Sequence, residues 1–586
     1  MSEVVIKKDN KGFSITVLQK RLLSMGLAIT FIFCIIIARL LYVQLVWGSA
    51  LTLKASDQWN REIPVIAQRG IITDRNGTIL AGNRTTYSVF VRPNAVENAE
   101  YTATILAGIF ALDPKELYEK ISNNKVSEIT VVKQADKGKI EKLVSYNLSG
   151  VYYSRDNSRT YTYNDALCQV LGFTSTDGSG LSGIEKYYQS ILSGTDGEIK
   201  YTTDILGIQT ENSVVIYSQA TNGDEVRLTI DIDIQMAAEE AMKRVYTSSN
   251  AQSVSCIVLN PQNFDILALV NYPSYDLNSV PRDDPETLNS LSRNVVVSDI
   301  YEPGSTFKVV TAAANLEEYF SGNKKAFSPS YVFNSSRTRT VDGTKIKCWA
   351  DHSNGRHSNQ TLSAALNNSC NPCFTDIALS LGSETFYKYL KAFGFGGVTG
   401  LDFNGEALGM LVPETAVTNG DLARIGFGQT IAVTGIQLAC AVAASVNGGN
   451  YYTPHLLKSV VSSDGNTVAE QPTVLKNKVI SEKASSLLAE MLEGVVTEGS
   501  GKKAYIDGYR VGGKTGTAQK YEDGHVAQGK YVSSFCGFFP ANNPKYLALI
   551  IVDEPQGTYY GSAVAAPVAK EIFEDIIKIK NIERYV

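Results

Sequence analysis

The sequence predicts a mixed α/β protein in three parts: one N-terminal helix of membrane-spanning character, a first folded region, and a second region built as a sheet covered by helices. Three observations carry this. An uncharged apolar run, LLSMGLAITFIFCIIIA, extends from Leu22 to Ala38 and continues past Arg39 into LLYVQLVWG. The pattern changes at Gly223, where an alternating, strand-like run leads into a segment with alanines and charges at helical spacing. From there to the end, strand-like runs stand at both ends with helical segments between them. The chain has 586 residues, more than one hydrophobic core usually spans, so two or more folded regions are expected.

The apolar run is longer than the core of a signal peptide usually is, and Tyr42 and Trp47 suit a membrane interface, so it is read as an uncleaved anchor over residues 22–46. Lys7, Lys8, Lys11, Lys20 and Arg21 precede it, and little positive charge follows it closely. The positive-inside rule then makes residues 1–21 a cytoplasmic tail and the chain a single-pass protein of the cell membrane, extracytoplasmic from about Gly48. Lys plus Arg total 54 against 59 for Asp plus Glu, and no long basic run breaks the pattern, which argues against a nucleic-acid surface.

Residues 49–222 form the first region. QWNREIPVIAQRGIITDRNGTIL alternates apolar and polar residues around Asn76-Gly77, a strong hairpin signal. Charge and Leu/Ile spacing from Asp113 to Val144 suggest helices, and Gly178 to Gly197 is rich in glycine turns. Residues 223–586 form the second region. SVSCIVLNPQNFDILALVNYPS reads as a hairpin of two buried strands, SSFCGFFPANNPKYLALIIVDEP as strands again, and Ala565 to about Lys580 as a closing helix.

Three short motifs carry chemistry. Ser305-Thr306-Phe307-Lys308 follows Tyr301-Glu302-Pro303-Gly304 and precedes VVTAAANLEE, so Ser305 is expected in the first turn of a helix with Lys308 on the same face. A serine hydroxyl becomes a nucleophile when a nearby base takes its proton, and a buried lysine of lowered pKa is such a base. Ser369-Cys370-Asn371 follows the helical stretch TLSAALNN. Lys514-Thr515-Gly516-Thr517 follows YRVGG on an expected strand, where Gly516 would let a peptide backbone approach and the Lys514 ammonium would receive a carboxylate. Each motif alone is weak. In the order S-x-x-K, S-x-N, K-T-G they are a strong signature of penicillin-binding proteins and serine β-lactamases.

Over nearly its whole length the chain resembles the class B penicillin-binding proteins, the monofunctional transpeptidases. The likeness extends to RGIITDRNG from Arg69, GLSGIE from Gly180, GFGQTIAVTGIQLA from Gly426 and YGSAVAAPV near the end. It implies an elongated α+β pedestal of the dimerisation type, then a transpeptidase domain with a five-stranded sheet between helical layers. It also implies D,D-transpeptidation: Ser305 attacks a peptidoglycan stem peptide, releases the terminal D-Ala and passes the acyl group to a neighbouring amine. Lys308 would be the base, Ser369 and Asn371 would relay protons and hold the substrate, and Lys514, Thr515, Gly516 and Thr517 would bind the donor. The N–H groups of Ser305 and Thr517 would form the oxyanion hole. β-Lactams would acylate the same serine, the anchor would contact membrane lipid, and a polytopic glycosyltransferase is the implied protein partner. No cofactor is required for this chemistry.

A serine β-lactamase shares the motif triple, but the text nearest to a class A E-x-x-L-N element, PETAVTNG from Pro413, lacks that pattern. A β-lactam sensor usually has several spans and a cytoplasmic effector. A D,D-carboxypeptidase remains open, because water and an amine compete for one intermediate.

The family pattern does not require the cysteines around the second motif. Cys168, Cys256, Cys440 and Cys536 stand singly in apolar contexts and read as core residues, and Cys34 lies in the span. Cys348, Asp351, His352, His357, Cys370 and Cys373, by contrast, bring soft ligands together with the spacing of a zinc site. A structural zinc, a disulfide from Cys348 to Cys370 or Cys373, and free thiols are the three readings. Spacing does not choose between His352 and His357 as a ligand.

Overall fold

The computed structural model describes residues 15–51, 60–123, 126, 128–202, 216–352, 357–522 and 525–584; Lys7, Lys8 and Lys11 of the expected cytoplasmic tail lie outside them. The chain divides into two compact units, residues 1–67 with 195–221 and residues 68–194 with 222–586. In the first unit, helix α1 (Ile15–Tyr42) runs through the apolar stretch into a π turn at Val43–Trp47, beyond which helix continues to Leu51, with no residue of α1 or the π turn buried in protein. Helix geometry persists through Lys20 and Arg21, so α1 starts before the apolar run itself. Its 28 residues reach about 42 Å, enough to cross a bilayer. Among the described residues it is the one helix long and apolar enough to do so. Strands Asn60–Val65, Gly197–Thr202 and Ile216–Ser218 form a small antiparallel sheet in the same unit.

The second unit holds two larger sheets. One has seven strands: Thr467–Glu470, Leu457–Val461, Glu225–Leu228, Ile72–Thr73, Ile79–Val91 and Ile129–Ala135 in that order, with Val151–Tyr161 also paired along Ile79–Val91. The hairpin expected at Asn76-Gly77 is present as Ile72–Thr73 against Ile79–Val91. Between Asp113 and Val144 the helices are Pro114–Ile121 and Lys137–Ser145. The β-branched run ITVV at Ile129, expected to belong to a helix, is instead a strand paired to Val91 and its neighbours. This sheet crosses the boundary expected between residues 222 and 223. Ile72 and Leu80 from one side of it and Val226 and Leu228 from the other are fully buried in one apolar cluster, and separating them would expose that surface to water.

The catalytic motifs are organised by a five-stranded antiparallel sheet. Its strands are β1 (Ser253–Leu259), β2 (Ile266–Tyr272), β3 (Gly512–Glu522), β4 (His525–Phe539) and β5 (Tyr546–Asp553), ordered β2-β1-β5-β4-β3. The continuous apolar runs of β1, β2 and β5 reflect burial on both faces. Helices α2 (Ile232–Ser249), α3 (Lys308–Phe320), α4 (Asn371–Leu381), α5 (Gly435–Val446), α6 (Glu482–Thr497) and α7 (Gly561–Ile579) supply the cover. Val254, Cys256 and Val258 pack towards α2 and α7, whereas Ile257 and Leu259, which alternate with them, face the cluster that contains α3 and α5. The expected sheet between helical layers is thus observed. Helix α5 is buried at every position and starts with a reciprocal capping box between Thr434 and Gln437. Cys168, Cys256, Cys440 and Cys536 are all buried core residues.

Two sequence motifs of the N-terminal region meet in one ionic cluster. Glu185 is fully buried, and the Nε atoms of Arg69 and Arg159 each donate to one of its carboxylate oxygens at 2.6 Å. Arg69 also donates to the Glu185 carbonyl (2.7 Å) and to Gln189 (2.8 Å). Removing the carboxylate leaves two buried guanidinium groups without a counter-charge. Glu185→Ala is therefore expected to destabilise the fold by about 3–5 kcal/mol, seen as a lowered unfolding midpoint in denaturant; an unchanged midpoint would contradict this account of the motif pair.

Candidate active site

Pro303 and Gly304 turn the chain into a short 3₁₀ segment, Gly304–Phe307, which runs directly into α3. The first turn expected of an α-helix is thus the tighter kind, in which residues three apart eclipse one another. Ser305 and Lys308 share that face, and Lys308 Nζ lies 3.0 Å from Ser305 Oγ. Lys308 is fully buried. Its amine donates to Ser369 O and to Asn371 Oδ1, both at 2.7 Å, and lies 3.1 Å from Ser369 Oγ. Burial pushes its pKa down to about 8, against the opposing pull of the Cys348, Cys370 and Cys373 thiols. Two of its neighbours, a carbonyl and an amide oxygen, only accept hydrogen bonds. A neutral amine therefore satisfies both with its two N–H groups and keeps its lone pair for a hydroxyl proton.

The second motif reaches the site by a backbone device. Helix Leu362–Asn367 ends, Ser369 takes a left-handed conformation (φ +55°), and α4 begins at Asn371. This reversal aims the Ser369 carbonyl, the Ser369 hydroxyl and the Asn371 amide at Lys308. The third motif lies on β3, where Lys514 Nζ donates to Ser369 Oγ (2.9 Å) and to Thr515 O (3.1 Å). Ser369 Oγ therefore sits between two lysine amines. Lys514 is fully buried, and burial together with the charge of Lys308 holds its pKa well below the usual lysine range. Lys514, expected to receive a substrate carboxylate, is buried here because β3 turns its side chain inward beneath the S-x-N segment.

Gly516 also has a packing role that the motif does not reveal. A β-carbon there would lie 2.4 Å from Ser534 Oγ, 3.0 Å from Thr306 Cγ2 and 3.1 Å from Pro303 O. The residue is small so that β3 can pack against the turn carrying Ser305. Thr515 Oγ1 pairs with Ser500 Oγ at 3.1 Å, and Thr517 Oγ1 accepts from the Gly561 N–H at 3.0 Å. A β-carbon on Gly304 would meet Thr517 O at 3.3 Å, so the backbones of the first and third motifs approach closely where Ser305 and Thr517 stand.

Supporting residues without an obvious chemical signature hold this turn. Gly304 N–H donates to Gly428 O at 2.9 Å, and Gly428 has φ +84° with Gly304 O where its β-carbon would be. Thr430 N–H donates to Glu302 at 2.9 Å, and Thr311 Oγ1 donates to Gly426 O at 2.8 Å. The text Gly426-Phe427-Gly428-Gln429 is thus the brace of Tyr301-Glu302-Pro303-Gly304. The family-like spelling of both segments was the one signal pointing to them.

Behind the S-x-N segment, Cys348, His352, His357 and Cys370 converge. Both candidate histidines are present in that group. Asp351 and Cys373, expected as candidates with them, are not in that group: Asp351 is exposed beside Arg337, and Cys373, whose thiol neighbours that of Cys370, receives the amide of Gln360 on Sγ at 3.7 Å. Helix α4 begins at Asn371, which places Cys370 before the helix and Cys373 in its buried first turn.

Comparison with known proteins agrees with this geometry. Residues 254–574 match the penicillin binding protein transpeptidase domain, and residues 64–228 match the penicillin-binding protein dimerisation domain. Stage V sporulation protein D of Bacillus subtilis is 38% identical over 95% of this chain and 85% of its own. Peptidoglycan D,D-transpeptidase FtsI of Escherichia coli is 28% identical over 94% of this chain and 90% of its own. Among solved structures, a peptidoglycan synthetase from Bifidobacterium adolescentis superposes with a TM-score of 0.72 at 26% identity, covering 90% of this chain and 97% of that one. With the motif triple assembled around one buried amine and both domains matched, the chain belongs to the class B penicillin-binding proteins, serine-type D,D-transpeptidases of peptidoglycan.

Proposed function

We propose that Ser305 is the nucleophile of a two-step acyl transfer between stem peptides, with Lys308 as its base. The observation that carries this is the 3.0 Å approach of Lys308 Nζ to Ser305 Oγ, with the amine buried and its N–H groups already directed at Ser369 O and Asn371 Oδ1. Lys308 takes the hydroxyl proton as Ser305 Oγ attacks the carbonyl of the penultimate D-Ala. The negative charge on the tetrahedral oxygen falls to the N–H groups of Ser305 and Thr517. Collapse breaks the peptide bond, and the leaving amine of the terminal D-Ala takes a proton through Ser369 Oγ, which bridges Lys308 and Lys514. An amine of a neighbouring stem peptide then attacks the ester, giving up a proton along the same route and freeing Ser305.

Asn371 orients Lys308 and the substrate amide. Thr515 and Thr517 on β3 meet the carboxylate side of the donor, while Lys514 acts from beneath them through Ser369, its burial being the reason for that assignment. Among the described residues, the hydrogen bonds of Lys308 and Lys514 go to hydroxyl, amide and carbonyl oxygens and to no carboxylate. The basic residues Lys7, Lys8, Lys11, Lys20 and Arg21 support an N-terminus in the cytoplasm, with α1 in contact with lipid and the catalytic unit outside. A polytopic glycosyltransferase that makes the polymer strands is the proposed partner at the anchor and N-terminal region.

Labelling, cross-linking and rate measurements test the assignment. Fluorescent penicillin is expected to label the wild type and to leave Ser305→Ala unlabelled, and supplied lipid-linked polymer is expected to yield cross-linked dimer. Label retained on the variant would remove Ser305 as nucleophile, and trimmed monomer without dimer would make the enzyme a carboxypeptidase. Because a protonated amine has no lone pair for the Ser305 proton, the second-order acylation rate should rise with pH through about 8. Lys308→Ala should lower that rate by about 10²–10⁴-fold. A pH-independent rate would exclude Lys308 as the base.

A further inference from the structure

We propose that Cys348, His352, His357 and Cys370 form a tetrahedral zinc(II) site that fixes the Ser369–Asn371 segment against Lys308. The four residues run Cys-x₃-His-x₄-His-x₁₂-Cys in the sequence. Cys348 Sγ lies 3.7 Å from His357 Nδ1 and 3.9 Å from Cys370 Sγ, and Cys370 Sγ lies 4.0 Å from His352 Nε2. All four ligand atoms fall within 4.8 Å of one another. In a tetrahedron with metal–sulfur bonds of about 2.3 Å and metal–nitrogen bonds of about 2.0–2.1 Å, ligand atoms stand about 3.3–3.8 Å apart. The observed separations therefore need to contract by a few tenths of an ångström in the measured pairs. A disulfide between Cys348 and Cys370 needs about 2.05 Å, roughly half the observed 3.9 Å separation.

The surroundings select the same four atoms. His352 Nδ1 lies 2.8 Å from the Ser335 carbonyl, which only accepts, so the proton sits on Nδ1 and the lone pair of Nε2 points into the cluster. A carbonyl on the far ring nitrogen is the usual orienting partner of a metal-bound histidine. Cys348, His357 and Cys370 are buried, and His352 closes the outer side. Two thiolates and two neutral imidazoles make a soft S₂N₂ set that suits zinc, and binding releases the two thiol protons to solvent. The dication and two thiolates sum to zero charge, so the site adds no net charge beside the buried amines of Lys308 and Lys514.

Its position gives it a task. Cys370 is the middle residue of the S-x-N motif, between the two residues that hold Lys308. Cys348 ends the hairpin of Thr338–Val341 and Thr344–Lys347, which is tied to α4 by a bidentate Arg339–Asp376 pair at 2.8 Å. A metal joining Cys348 to Cys370 locks that hairpin onto the strained link at Ser369. The coupling to acylation rests on Ser305 as the nucleophile; the metal content does not.

The test uses the full-length chain purified in detergent under reducing conditions. Elemental analysis is expected to find one zinc per chain. Replacement by cobalt(II) should give the visible bands of a tetrahedral site with two thiolates, which reports the ligand set without any variant. His352→Gln and His357→Gln should each lose the ion, His352→Cys should keep it with stronger thiolate charge-transfer bands, and Cys373→Ser and Asp351→Asn should retain it unchanged. Stripping with a chelator should lower the melting temperature and slow fluorescent-penicillin acylation, with recovery on adding zinc alone. Reduced protein that binds no zinc, a thiol titration two groups short from a Cys348–Cys370 disulfide in protein purified without reductant, or loss of the ion in Cys373→Ser would overturn the site. Acylation unchanged in metal-free protein would overturn its coupling to Lys308.

Discussion

The amine of Lys308 lies out of contact with water, and the surrounding architecture is arranged to hold it there. Burial disfavours its charge, while Ser369 O and Asn371 Oδ1 absorb its donors at 2.7 Å and leave Ser305 Oγ within 3.0 Å. None of these groups is near Lys308 in the chain except Ser305. Ser369 and Asn371 arrive through a left-handed link between two helices, and Lys514 arrives on an edge strand of the five-stranded sheet. A displacement of any of these elements would leave a buried amine with an unmet donor, which is costly in a low-dielectric interior.

This explains why so much of the supporting structure is packing rather than chemistry. Gly516 is small to let β3 pass the Ser305 turn, and Gly428 takes a positive φ to let its carbonyl meet the Gly304 N–H. β3 is paired residue by residue with β4 from Gly512 to Gln519, so it cannot slide without breaking that ladder and moving its side chains to other partners. The same logic governs the N-terminal region. Glu185 is fully buried between two arginines, so RGIITDRNG and GLSGIE, more than a hundred residues apart, function as one structural element.

The sites that carry chemistry were legible in the text because acyl transfer demands particular residue types at short spacing. Ser305 and Lys308 had to be three apart on one helical face, and the ordered triple removed the ambiguity of each motif. The hairpin at Asn76-Gly77, the buried strands flanking Asn260 and the closing helix were legible too, since local pattern and turn residues agree there. Reading failed where neighbours in space override local pattern. ITVV at Ile129 became a strand because Val91 and Val89 offer it a ladder, in a sheet that also takes strands from beyond residue 222, a pairing no local pattern shows.

By itself the sequence determined the chemistry: a serine, a lysine three residues on, and the two further motifs they require, on a chain with one apolar span. Tertiary structure decided the electrostatic state and the partners. Whether Lys514 is an exposed ammonium or an interior amine depends on which way one strand faces, and hydration of a side chain is not encoded at its own position. Whether His352 or His357 joins the thiols, and whether Cys373 does, depends on where a helix starts relative to a distant hairpin. Those distances are set by packing between elements far apart in the chain, which no local spacing can specify.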